Sequence, residues 1–304
     1  MSEMTNSTDA LPRSRAAKRY RFAIKAKNIT AKTVVYIVLS IATVVALFPV
    51  IYTVLGSFQT NQELIANPSQ ILPREWRFDN YTTAWQLANF QQFTINSTYM
   101  SSLIVAGSII TCTVAAYVFE RAKFKGKEVI FAIFLSSMFI SVGSLTLFPL
   151  LTIARTLGLT GSLNGVVVIR ILGLNIANLF IARSYISTIP KELDEAAKID
   201  GCSFIKIFTH VIFPILKPLI ATIGILEFRH AWNDYLMPLV FTMANPANQP
   251  LTVGIISLRA TAEGATNWAL MLAGTSIAVL PMILVFLFFN RYFIDGLTTG
   301  AVKG

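Results

Sequence analysis

Apolar runs long enough to cross a bilayer, roughly 20 residues each, recur about six times along this chain. They fall near 33–55, 94–119, 129–153, 164–186, 215–243 and 267–290. The fourth is interrupted by Arg170, Asn175 and Asn178, and the fifth carries Pro218 and Pro238, where it is expected to break. The pattern predicts an all-α membrane protein of six transmembrane helices. It divides into a basic N-terminal tail over 1–32, a first span and loop over 33–93, a five-helix core over 94–290 and a short tail over 291–304.

The longest polar interruption in the second half, 190–218, is strongly patterned. Pro190 is expected to open a helix in its first turn, where a missing N–H costs nothing. Leu193, Ala196 and Ala197 follow at helical spacing, with Lys191, Asp194, Glu195 and Lys198 between them. Gly201 interrupts, as glycine does where backbones turn or approach closely. Ser203 is placed to cap a second amphipathic turn carrying Phe204, Ile207, Phe208 and Val211. Pro214 and Pro218 close a helix–glycine–helix element set between two spans.

Composition sharpens this picture. Of 304 residues, 54% are hydrophobic and 13% charged, against about 25% charged in soluble domains. Cys112 and Cys202 lie far apart, so neither a disulfide framework nor a metal site is indicated. The net charge of +10 is explained by its placement rather than by nucleic acid. With the N-terminus inside, inner segments hold 19 Lys and Arg and outer loops hold 4, Arg74, Arg77, Arg155 and Arg259. Both termini and the 190–218 stretch are therefore expected on the cytoplasmic side, the basic tail facing anionic lipid.

Glu195-Ala196-Ala197, three residues, Gly201, nine residues and then Val211-x-Phe213-Pro214 resembles the coupling loop of ABC-importer permeases. The ending Asn290-Arg291-Tyr292-Phe293-Ile294-Asp295-Gly296-Leu297-Thr298-x-Gly300-Ala301-Val302-Lys303-Gly304 is similar to that of maltose-type sugar permeases. Two shorter phrases, Phe78-x-Asn80-Tyr81 and Trp232-Asn233-Asp234-Tyr235 with Pro238-Leu239, also resemble carbohydrate-type members. The likeness covers roughly Asp79 to Gly304, with Val211 and Phe213 standing where the family usually has Ile and Leu.

The resemblance implies a type I importer permease fold in the cytoplasmic membrane of a bacterium or archaeon. It implies a second permease subunit, a dimeric ATPase, an extracytoplasmic solute-binding protein and a sugar substrate. Glu195, Ala196, Ala197, Asp200, Gly201, Phe204 and Pro214 would then contact the ATPase. The loop at 244–266, with Pro246, Pro250 and Gly264, corresponds to one that reaches into the binding protein. No G-x-x-x-x-G-K-[ST] phosphate loop occurs in the chain, so ATP and Mg belong to a separate subunit. This chain is expected to hold no cofactor and no catalytic residue.

Two sets of polar residues within spans are candidates for a translocation path. Arg170 faces either a partner charge, the interface or a watery route. Trp232, Asn233 and Asp234 close the fifth run, where polar groups serve a pathway or bind helices together. Glu227, His230 and Asp234 recur at spacings of three and four, as on one helical face. That gathering leaves a proton-coupled secondary transporter as the alternative function. The loop at 56–93, with Trp76, Tyr81, Trp85, Pro68 and Pro73, is expected to be folded, Trp76 and Trp85 packing as a cap on the bundle.

Overall fold

The structure is a computed structural model describing residues 15–140, 143–258 and 266–301, with side chains over 32–140, 143–256, 258 and 266–289. The first 14 residues, part of the loop at 259–265 with Arg259 and Gly264, and the closing Val302-Lys303-Gly304 lie outside the described residues.

The chain forms two units, Met1–Thr53 and Val54–Gly304. The first consists, where described, of helix α1 (Arg15–Gly56), whose last turn enters the second unit. The helix starts inside the basic stretch, because Ala, Lys and Arg there are good helix formers. Basic tail and first apolar run are thus one continuous helix. From Val34 to Val50 its large apolar side chains are exposed.

The second unit begins with α2 (Asn61–Ala66) and α3 (Asp79–Leu87). The bundle follows with α4 (Phe90–Arg121), α5 (Lys127–Ser137), α6 (Leu147–Thr156), α7 (Leu163–Leu172) and α8 (Ile176–Ser187). Next come α9 (Glu192–Ile199), α10 (Phe204–Ile207), a π-turn over Phe208–Ile212, α11 (Phe213–Ile215) and α12 (Lys217–Trp232). The chain closes with α13 (Leu236–Thr242), α14 (Leu251–Ser257) and α15 (Trp268–Ala301).

Helix α4 is the axis, packing against α12, α8 and α7, while α12 also packs on α15. Its buried face carries Ser97, Ser101, Ile104, Ser108, Cys112 and Ala116 at helical spacing. Small residues let backbones approach closely, which is how helices associate where lipid removes the hydrophobic drive. Apolar side chains elsewhere point outward, as Leu280, Leu284, Leu287 and Phe288 do on α15. Such continuous apolar faces suit hydrocarbon rather than water.

Three of the six expected spans are single helices, at Lys32–Gly56, Phe90–Arg121 and Trp268–Phe289. Two are bent pairs. Helices α7 and α8 meet at 45°, where Leu174 takes φ +35° and Asn175 caps α8 by accepting the Asn178 N–H. The Phe204–Ile215 segment meets α12 at 79°. The run at 129–153 is divided between α5 and α6, with a 3-10 turn over Gly143–Thr146 between them. Gly143, at φ +58°, opens that turn.

The expected breaks in the fifth run shift. Pro218 begins α12 rather than interrupting a helix, because the first turn needs no proline N–H. The second interruption lies at Asn233-Asp234-Tyr235, before α13 starts, and Pro238 fits the first turn of α13. Pro190 likewise precedes Lys191, the N-cap of α9, rather than forming its first turn.

Between α1 and α4 the chain folds on Phe58. Its ring lies 5.3 Å from Trp76, 5.1 Å from Phe78 and 5.2 Å from Tyr81. Asn80 donates to the carbonyls of Ser57 (2.8 Å) and Gln59 (2.9 Å), and the Tyr81 and Ser57 hydroxyls meet at 2.7 Å. The phrase Phe78-Asp79-Asn80-Tyr81 is therefore the hinge pin of this cap. Trp85 stacks on Phe90, the first residue of α4, at 5.7 Å.

Helix α2 starts with a reciprocal cap. Thr60 Oγ1 accepts the Glu63 N–H at 3.2 Å and the Glu63 carboxylate accepts the Thr60 N–H at 2.9 Å. That backbone bond, helped by Arg74, holds the Glu63 carboxyl below its ordinary value of 4.5. A depressed acid stabilises above its unfolded pKa, so protection of α2 amides should be constant above about pH 4.5. It should fall as pH drops further, through the folded-state value. Hydrogen exchange measures this, and Thr60→Ala should lower local stability by about 1 kcal/mol at neutral pH.

At Gly165 on α7 an added Cβ would lie 2.0 Å from the Leu159 carbonyl oxygen and 3.0 Å from Phe241. The first neighbour is backbone and cannot step aside. Gly165→Ala should destabilise the bundle by about 1–3 kcal/mol, read as a lower thermal midpoint in detergent.

Candidate functional site

The loop from α8 to α12 is built by local rules and anchored by a buried ion pair. Helix α9 has Glu192, Asp194 and Glu195 in its first turn and Lys198 in its last, matching the helix dipole at both ends. It stops in a doubly hydrogen-bonded glycine cap. The Gly201 N–H donates to the Lys198 carbonyl and the Cys202 N–H to Ala197, both at 3.0 Å. Gly201 takes φ +80°, a conformation that side chains with a Cβ resist. Ser203 then caps α10 by accepting the Lys206 N–H at 3.4 Å.

The burial of α9 is the reverse of simple amphipathy. Asp194 is 6% exposed, while Leu193 is 40% and Ile199 is 87% exposed. Asp194 Oδ2 lies 3.0 Å from Arg121 Nε, with both side chains buried, and Tyr117 donates its hydroxyl to Asp194 Oδ1 at 3.0 Å. Arg121 Nη2 donates to the Ile189 carbonyl at 2.6 Å. Charge and distance rather than a well-aligned hydrogen bond join Arg121 Nε to Asp194. The last turn of α4 thus grips both the start of α9 and the residues before it.

Around this anchor lies an apolar cluster of Ala197, Ile207, Ile212 and Leu216 with Cys112, Ala116, Leu179 and Ile186. Phe204 lays its ring 4.6 Å from Tyr117. Glu195, Ala196, Asp200, Gly201 and Pro214 remain exposed, and Ala197 is buried. The loop therefore presents Leu193, Ala196, Ile199 and Ile205 outward from a rigid base. Asp194, Tyr117 and Arg121 are the residues that sequence reasoning passed over. Tyr117 and Arg121, four apart at the end of an apolar run, with Asp194 three residues into the loop, were the available signal.

The second group of candidates lies where α12 ends. Arg170 Nη2 pairs with the Asp234 carboxylate, bridging the end of α7 to the break after α12. Asn233 caps α12 by donating to the Arg229 carbonyl at 2.8 Å, and Thr252 donates to the Asp234 carbonyl at 2.9 Å. Arg170, Arg229, His230, Asn233, Asp234 and Tyr235 line a cavity of about 580 Å³. Trp232 stands apart from it, buried, with its indole N–H donating to the Ala278 carbonyl at 3.0 Å.

Glu227, His230 and Asp234 do not converge. Helix α12 ends at Trp232, so Asp234 leaves the helical face. Glu227 turns instead to α8, accepting from Asn175 at 2.7 Å and from Asn178. His230 is exposed and meets Arg229. Three groups with three separate partners are no proton relay.

Comparison with known proteins identifies the family and the fold. Residues 113–298 match the family described as binding-protein-dependent transport system inner membrane component. The galactooligosaccharides transport system permease protein GanQ of Bacillus subtilis (strain 168) is 30% identical over 272 residues, 88% of this chain and 94% of that one. The melibiose/raffinose/stachyose import permease protein MelC of the same strain is 35% identical over 235 residues, 77% and 84% of the two chains. A solved structure of a bacterial ABC transporter involved in the import of the acidic polysaccharide alginate superimposes with a TM-score of 0.72. It covers 93% of this chain and 99% of that one, at 23% identity. This chain belongs to the family of binding-protein-dependent transport system inner membrane components. It is a membrane-embedded permease subunit of the importer type, with a non-catalytic role.

Removing one partner of a buried ion pair strands the other, at about 3–5 kcal/mol. Asp194→Ala should therefore lower the thermal midpoint sharply. Arg121→Met combined with Asp194→Leu should recover most of the loss, since an apolar pair leaves no charge stranded.

Proposed function

We propose that this chain is one of two permease subunits of an ATP-driven, binding-protein-dependent carbohydrate importer. The observation that carries the reading is the loop over 190–218: a rigid, charge-anchored helix pair that presents an outward apolar face. Such a face fits a cleft on a separate, dimeric ATPase that binds ATP and Mg. The relatives named for galactooligosaccharides and for melibiose, raffinose and stachyose support a sugar as cargo.

In this reading both termini and the loop lie in the cytoplasm, as the distribution of Lys and Arg argues. Residues 1–32 form the basic inner arm, 33–93 the first span and cap, 94–290 the core and 291–304 the inner tail. Glu195, Ala196, Ala197, Asp200, Gly201, Phe204 and Pro214 belong to the ATPase contact, Ala197 from behind. When the ATPase dimer closes, α9 moves with it, and the Arg121–Asp194 link carries that motion into α4. The bundle then shifts between inward- and outward-open states, ATP biasing one of them. Asn233, Asp234 and Arg170 border the sugar path beside the cavity at the end of α12. Trp232 fixes their backbone from behind.

Affinity purification from gently solubilised native membrane should recover an ATPase, a second permease and a solute-binding protein. Recovery of this chain alone would overturn the reading. Gly201→Asp should leave expression intact but abolish sugar uptake, because it strains a φ of +80° and adds charge at the contact. Gly201→Asn, which tolerates that conformation, should retain more transport. Equal uptake by wild type and Gly201→Asp in transport assays would show that the loop does not couple.

A further inference from the structure

A cavity of about 660 Å³ opens beside the anchored base of α9, and Arg121, Lys123, Lys127, Lys191 and Lys198 line it. We propose that it is a binding site for a phosphate-bearing anion, supplied by the headgroup of an anionic phospholipid. The proposal does not rest on the cargo or on an ATPase, only on this end of α4 meeting the membrane surface.

The acidic lining is largely spoken for. Asp194 is taken by Arg121 and Tyr117, and Glu120 accepts from Arg183 at 3.2 Å. Glu195 is the remaining carboxylate among the lining residues. Lys127 reaches Glu128 at only 3.8 Å. Lys123, Lys191 and Lys198 engage no acceptor among the described residues, so the cavity carries surplus positive charge. Arg121 adds a second, independent sign. Its side chain is 5% exposed, yet Nη1 is buried without a hydrogen-bond partner among the described residues. The guanidinium, already set against Asp194, adds its charge to the base of the cavity.

Position selects the source of that anion. Arg121 ends a 32-residue apolar helix, so the cavity sits where a span reaches the membrane surface. Basic pockets at such a level hold lipid headgroups. The cationic side of α9, formed by Lys191 and Lys198 one heptad apart, is turned away from Leu193 and Ala196 on the opposite side. Glu195 and Phe204, which the proposed ATPase contact shares, lie at the rim of the cavity, while Arg121, Lys123 and Lys127 belong to the α4 side.

The test uses the full-length chain with its accompanying subunits in phosphatidylcholine nanodiscs, with or without phosphatidylglycerol, and native mass spectrometry to count retained lipid. Wild type should retain phosphatidylglycerol. Lys123→Gln/Lys191→Gln/Lys198→Gln should bind it roughly a hundredfold more weakly, at about fivefold per lysine near an anionic surface. Lys206→Gln/Lys217→Gln, which removes exposed cations outside the cavity, should bind like wild type. Displacement by inorganic phosphate with no preference for phosphatidylglycerol would keep the anion site and assign it to free phosphate. Equal lipid retention by the triple variant and wild type would overturn the proposal. So would a triple variant that loses only a protein subunit, which would make the cavity a protein contact.

Discussion

The contact between Arg121 and Asp194 ties the central bundle helix, α4, to the loop outside it. A buried pair of this kind adds little net stability over an apolar pair of the same shape, because desolvation offsets attraction. What it supplies is position. A carboxylate held by a guanidinium and a tyrosine hydroxyl has few alternative placements, whereas apolar side chains slide. Helix α9 therefore stands in one orientation relative to α4, with Leu193 and Ile199 outward. The glycine cap at Gly201 fixes where α9 ends, and the apolar cluster below fixes where α10 begins.

The same economy operates at the other end of the molecule. Chain breaks there are held by polar pairs rather than by continuous helix: Arg170 with Asp234, Asn175 and Asn178 with Glu227, Asn96 with the carbonyls of Ala247 and Gln249. Broken helices inside a membrane protein leave backbone groups that neighbouring side chains must satisfy. A bundle jointed this way can bend at a defined point, 45° between α7 and α8, without exposing its backbone to lipid. Joints of this kind are what an alternating permease requires, since rigid segments must rotate about something.

Several elements were legible from residues alone. The apolar runs located α4 and α15, because length and hydropathy suffice for a straight span. Ser203 as a cap and Gly201 as a break were readable because both rules are local and need no neighbour. The aromatic residues between α1 and α4 marked a folded segment, although only the structure identified Phe58 as its centre. The fifth run misled at its ends, since proline signals a break but not on which side: Pro218 and Pro238 open helices here.

What the sequence by itself determined was the class of molecule. Bilayer-length apolar runs, the distribution of Lys and Arg, and the spaced Glu-Ala-Ala, Gly and Pro positions are covalent facts that survive any packing. Tertiary structure alone decided which polar groups face each other. Periodicity placed Glu227, His230 and Asp234 on one face, but the end of α12 at Trp232 sent Asp234 to Arg170 and left Glu227 to α8. Likewise no local rule buries Asp194 and exposes Ile199. That inversion exists because Arg121, 73 residues earlier in the numbering, reaches the same point in space. Charge pairing across such distances depends on the fold that brings the partners together.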